Sequence, residues 1–341
     1  MATVTKIIDS NGTPGVNCDY DSIEDWASFV AGQSNPDQLG VLRGEHGYPS
    51  VALDSFTSFN VPTTQDACPR LVGDPGWQAG YSLYSTSNPS DAPHLFYLTL
   101  TGTFGPGNMQ HFKVAGIQID SIDVSLSAAG ECNAGVWFDA VAAGYSAGFN
   151  LLSSASENYL SSIKLLFTNC LLIGDGGPDC LYLSESQAAG STSVAFVHTV
   201  LAKGATVNWS GWSGMSVYVL NCVQMSKEGY GFQTNAAALS VAGNASWPPS
   251  EHADQLNSIY TLDGNEYNYG IFIDSNYYAS DYRLPAGSPL IDRGVTPSVF
   301  GWDLTVLKDV SGRSRPRGAG YDIGLYEYPS VLDPSLMLLC F

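Results

Sequence analysis

The sequence predicts an all-β chain wound as a parallel β-helix, with an N-terminal capping helix and a C-terminal lid. Three observations lead there. Short apolar runs of strand length recur between Gly, Ser, Asn and Asp clusters through the middle of the chain. An Asn-Cys pair recurs within two of those runs, at Asn169-Cys170 and Asn221-Cys222. Charged residues are only 13% of the 341, with 36 Gly, a composition that suits a β-rich fold and not a helical bundle. Hydrophobic residues at 44% rule out a disordered chain.

The first 33 residues read as a strand and a helix. "TVTKII" alternates as a strand. "DYDSIEDWASFVAGQ" opens with Asp21 or Ser22 as a cap and carries Glu24 and Asp25 in its first turn, where the helix dipole favours acids. Ile23, Trp26, Ala27 and Val30 share one helical face, and Gly32 is the stop.

Residues 34–280 are expected to form the coils. "LFYLTLTG", "FKVAGIQID", "GVWFDAV", "IKLLFTNCLLIG", "VAFVHTVLAKG", "MSVYVLNCVQM" and "YGIFIDSN" are the runs. Aligned on the Asn-Cys pair, with His198-Thr199 in its place in one run and Gly116 and Asp139 at the same place in earlier ones, they repeat every ~23–30 residues, the signature of a solenoid. Each coil adds a strand about 4.8 Å above the last. Asn169 and Asn221 are expected in tight left-handed turns, stacked as a ladder, and Cys170 and Cys222 should point inward. His198 takes the Asn position in that ladder.

The exposed edges of a solenoid need covers. The helix should cover the first coil, and residues 281–328 the last. Six of the 13 basic residues fall between 283 and 317, interleaved with Asp292, Asp303 and Asp309 and followed by Asp322. Arg313, Arg315 and Arg317, with Asp292 and Asp322, are read as a network of Arg–carboxylate and Arg–carbonyl bonds that ties the lid down. Residues 329–341 follow as an apolar tail. Its Leu336, Met337, Leu338, Leu339 and Phe341 are expected to dock on another chain.

Two stretches resemble a known family. "SPLIDRGV … SGRSRPRGAGYDIGLYEY" is similar to the closing segment of right-handed parallel β-helix, pectin-lyase-like proteins of tailed phages and bacteria. The matching residues are Ser288, Pro289, Ile291, Asp292 and Gly294, then Asp309, Gly312 and Arg315, then Asp322, Ile323, Gly324, Tyr326 and Glu327. The opening "TVTKIIDSNG … DYDSIEDWASFVA" resembles the start of phage and metagenomic members. The resemblance covers the two ends and implies the fold; members include lyases, surface proteins and virion components.

Chemistry is less legible. Seven cysteines, with no CxxC pair, read as buried free thiols and not as a zinc site. No cofactor or metal is expected, and neither is nucleic-acid binding, because a net charge of −19 repels it. No apolar stretch is long enough to span a membrane, and "MATVTKIIDSNG" lacks a signal-peptide core. A lyase acting on uronates needs Lys or Arg to neutralise a carboxylate and take the adjacent proton. Between residues 71 and 282 the bases are Lys113, Lys164, Lys203 and Lys227, in different coils, which argues against one. Asp175 and Asp179 in "GDGGPDC" are the weak candidates for a hydrolytic carboxylate pair. The five histidines are scattered. Trp209, Trp212 and the tyrosines at 260–282 suit sugar stacking or an interface equally.

The resulting expectation is a non-enzymatic structural protein on a tailed-phage virion surface, as a capsid decoration or tail component made in the host cytoplasm. Its partners would be other virion proteins, a homotrimer, or a surface carbohydrate. The alternative is a tailspike-type polysaccharide depolymerase or a polysaccharide-binding surface protein.

Overall fold

The computed structural model describes residues 2–56, 64, 67–74, 94–104, 111–128, 132–152, 161–173, 181–185, 191–202, 207–210, 216–225, 232–233, 238–246, 258–261, 272, 282–300, 302–304 and 307–328. The chain is a parallel β-helix. A nine-stranded sheet begins with Val4–Asp9, Gln38–Arg43, Arg70–Gly73 and His111–Ala115. It continues through Cys132–Asp139, Ser161–Thr168, Ser191–Val197, Ser216–Leu220 and Ala238–Ala242, every pair parallel. A second, 13-stranded parallel sheet faces it. Its long strands His94–Phe104, Gln118–Ala128 and Ala142–Leu152 pair in order. Later coils break this span in two, so that Leu171–Ile173 and Leu181–Glu185 both pair with Ala142–Leu152.

Alternation sets what points inward. Val136, Leu165, Val194 and Val217 stand in register and are buried. In the neighbouring row, Phe138, Phe167 and Phe196 stack nearly flat, with ring centroids 5.2 and 4.9 Å apart. Neighbouring strands lie about 4.8 Å apart, so like rings at one register position stack at close to that spacing.

Between the sheets, among the described residues, the coils from His111 onward turn on one left-handed residue each: Gly116, Ala140, Asn169, His198, Asn221 and Gly243. Backbone bonds carry the ladder through these turns, as in Asn169 N to Val197 O (3.0 Å) and His198 N to Leu220 O (3.0 Å). The expected turn ladder is present, with one change: the turn residue of its coil is Ala140, and Asp139 is the last residue of the strand before it. Cys170 and Cys222 point inward, and their thiols donate to carbonyls of Phe138 and Phe196 at 3.4 Å. Cys18, Cys68, Cys170 and Cys222 are buried and form no disulfide.

The helix spans Ile23–Ala31, capped by Ser22, whose oxygen accepts from Asp25 N at 3.1 Å. Ile23, Trp26, Ala27 and Val30 are its buried face. A Cβ on Gly40 would lie 2.9 Å from the Trp26 ring and 2.8 Å from Ile8, so a glycine there lets the indole seat. The first strand is itself the first rung of the sheet, so the solenoid begins ahead of the helix.

The closing segment differs from expectation in where it lies. It runs along the flank of the solenoid, over the turn ladder, and does not sit on the last coil alone. Asn169 donates to Lys308 O (2.9 Å), and Asn221 donates to Val295 O (2.7 Å) while accepting from Val295 N (2.7 Å). On one side of the ladder, Val299, Leu304 and Leu307 cover Leu166, Ala195, Val197 and Leu220. On the other, Leu284, Leu290, Ile323 and Leu325 cover Leu171, Val200 and Val223. The reason lies in the coils. Runs such as "AFVHTVLA" are apolar on both faces, and a sheet buried on both faces needs a second cover.

Candidate functional site

The lid residues fall around one buried charge. The Arg315 guanidinium pairs with Glu327 at 3.0 Å, with neither side chain exposed. It also donates to Asn169 Oδ1 (2.9 Å) and to the carbonyls of Gly324 (3.0 Å) and Leu325 (2.7 Å). Arg313 reaches Glu327 O at 3.4 Å through Nη1, and the Arg317 backbone N–H donates to Glu327 Oε2 at 3.1 Å. Asp322 accepts from the backbone N–H groups of Asp292 (2.7 Å) and Tyr328 (2.5 Å). Burial raises its carboxyl to about 6 against those bonds, and the nearby carboxylates of Glu327 and Asp292 add to the rise. Asp292, in a left-handed turn, accepts from Gly320 N at 2.9 Å. These groups bond to one another and to the turn ladder, which makes them a clamp. Asp175, Asp179, the docking residues Leu336, Met337, Leu338, Leu339 and Phe341, and Trp212 lie outside the described residues.

The chemistry-bearing face is elsewhere. Stacking the coils puts Arg70, Lys113 and Trp137 at one register position on three successive strands of the nine-stranded sheet, facing outward. His111, Gly135 and Lys164 occupy the next outward position two residues before. Lys113 Nζ lies 3.5 Å from the Trp137 ring centroid and 2.9 Å from Asp139 Oδ2. Trp137 Nε1 donates to Thr168 Oγ1 (2.7 Å), and that hydroxyl donates to Asp139 Oδ1 (2.7 Å), which fixes both the ring and the carboxylate. Arg70 pairs with Asp37, and Arg43 with Asp74 at 2.6 Å.

The lid supplies one wall of this face. Trp302 lies over Gly135, where a Cβ would come within 3.0 Å of the indole. Its ring is 6.0 Å from His111, 6.4 Å from Trp137 and 5.5 Å edge-on from Phe300. Lys164 sits against that wall, its Nζ 5.9 Å from the Phe300 ring. Among the described residues Lys164 makes no ion pair, and burial alone pulls its pKa below the ordinary lysine value. The strip therefore combines a half-buried lysine without a carboxylate, aromatic faces, and a Lys–Asp pair on the adjoining strands. A lysine biased toward its neutral form is a candidate base, and the rings are candidate stacking platforms. Among the described residues no group of three His, Cys, Asp or Glu side chains could hold a metal ion.

Sequence reasoning missed this face because it weighed the lysines by their separation along the chain. In a solenoid, residues one coil apart are neighbours. The repeat was the signal that could have found them.

No family model matches the chain, and no curated protein matches it. Among solved structures it is similar to the crystal structure of pectate lyase Pel9A, at 13% identity over 96% of this chain and 97% of that one, with a TM-score of 0.31. Pel9A is an enzyme, and with it the expectation of a chain without catalytic activity is corrected. That expectation treated basic residues in different coils as scattered, whereas the coils stack them on one face.

Proposed function

We propose that the chain acts on an acidic polysaccharide by β-elimination, on the outer face of the nine-stranded sheet. Lys164 takes the proton from the carbon beside a uronate carboxylate. The electron pair left on that carbon forms a carbon–carbon double bond as the bond to the leaving glycosidic oxygen breaks, giving an unsaturated sugar end. Lys113 and Arg70, about 10 Å or more along the axis from Lys164, exchange their Asp139 and Asp37 partners for carboxylates of the same polysaccharide chain. Trp137 and Trp302 offer faces to the sugar rings. The observation that carries this reading is Lys164, a half-buried lysine with no ion pair among the described residues, on an aromatic-walled strip of basic residues.

The net charge of −19 works against a polyanion at long range. Physiological salt screens that repulsion beyond about 8 Å, so the charges within contact distance set the outcome. Incubation with polygalacturonate, alginate and other uronate polysaccharides, followed by the absorbance of unsaturated uronate, tests the proposal. Product is expected from at least one polymer, and Lys164→Ala should abolish it while leaving the melting temperature unchanged. No unsaturated product from any of them, or wild-type rates in Lys164→Ala, overturns it.

A further inference from the structure

The second sheet carries a different outward surface. Its early strands set Thr99 beside Asp123, Thr101 beside Ser125, and Thr103 beside Ser127. The intervening Leu98, Leu100, Val124 and Leu126 are buried, so the hydroxyls are the outward set. Thr103 Oγ1 and Ser127 Oγ are 2.7 Å apart. The row through Thr101 continues in register as Ser125, Asn150, Ser184 and Ser210. In backbone register, five successive strands thus share this position, over about 19 Å of the solenoid axis, and its first two rungs, Thr101 and Ser125, present hydroxyls. Aromatic residues border its first rungs. Tyr48 is 79% exposed and 6.3 Å from the Tyr97 ring, and Phe96 is 42% exposed.

We propose that this face binds a neutral polysaccharide laid along the solenoid axis. A ligand that repeats suits a surface that repeats, and paired donor–acceptor hydroxyls match sugar hydroxyls. Asp123 is the charge in the grid, with no basic residue among the outward positions named, so a polyanion has nothing to pair with. Where the outward side chains of these first two strands are described, from Thr99 to Thr103 and from Asp123 to Ser127, none is aliphatic, whereas a protein interface is built around an apolar centre. Tyr48 and Phe96 supply the ring faces on which sugars stack. The face is on the other sheet from Lys164 and stands independently of the cleavage proposed there.

Affinity electrophoresis of the full chain in gels containing dextran, galactomannan or hydroxyethyl cellulose tests this. At least one of the three should retard the wild type. Tyr48→Ala removes the exposed ring, and Thr103→Asp adds a charge at an exposed position. Each should weaken the retardation on the order of tenfold without changing the melting temperature. Mobility unaffected by all three polymers overturns the proposal, and so does retardation that both variants keep in full. The readout is mobility in neutral polymers, so its failure is distinct from a failure to release unsaturated uronate.

Discussion

Arg315 and Glu327 are both fully buried, and each is the other's charge partner. Truncating one leaves the other charged in a low-dielectric site. Arg315→Ala is therefore expected to cost about 3–5 kcal/mol of stability. Arg313→Ala loses a 3.4 Å bond from a half-buried side chain and should cost about 1 kcal/mol. Denaturant midpoints of the two variants check this, and equal losses would show that Arg315 is not the centre of the clamp. The sequence pointed to Arg313, Arg315 and Arg317 as a set. It could not single out Arg315, because burial depends on where the flank lies, and that is set by coils more than a hundred residues earlier in the chain.

At the scale of the turn element, His198 occupies the rung between Asn169 and Asn221. Asn221 Nδ2 lies 3.3 Å from His198 Nε2 and also donates to Val295 O, which assigns the ring proton to Nδ1. Burial first, and then the charge of Arg315, hold the pKa of His198 well below its ordinary value. The unfolded chain takes up a proton near pH 6.5 that the folded chain does not. Stability present above about pH 6.5 is therefore lost as the pH falls below it. Asp322 works in the opposite sense. Its carboxyl is raised to about 6, so the folded chain gains a proton before the unfolded one does, and this favours folding as the pH falls below about 6. A His198→Asn variant, carrying the residue used in the neighbouring turns, isolates the first effect. Between pH 7.5 and 5.5 the wild type should lose more in melting temperature than His198→Asn. Parallel profiles would show that His198 titrates normally. Two of these turns were legible as repeated Asn-Cys pairs. Ala140 was not, because alanine carries no signal for a left-handed backbone and is held there by the rungs on either side.

At the scale of the whole molecule, the closing segment is a second layer. Leu166, Ala195, Val197 and Leu220 face out from the nine-stranded sheet and are buried beneath it. Truncation after residue 281 should therefore give a chain that aggregates and binds hydrophobic dyes. A cover confined to the last coil would predict a soluble truncated solenoid with unchanged circular dichroism, and that result would contradict the flank arrangement.

The sequence by itself determined the solenoid, because a parallel β-helix is built from local decisions: alternation within each run, a turn residue at its end, and a repeat near one coil length. The helix was legible for the same reason, since its cap and apolar face lie within about ten residues. Only the tertiary structure decided where the lid rests and which basic residues share a face. Both depend on the register between coils, and unequal coil lengths hide that register in the chain. Lys113 and Lys164 come onto one strip because each strand between them aligns residue for residue with the next. A one-residue slip would turn each side chain to the opposite face and leave neither lysine on that strip.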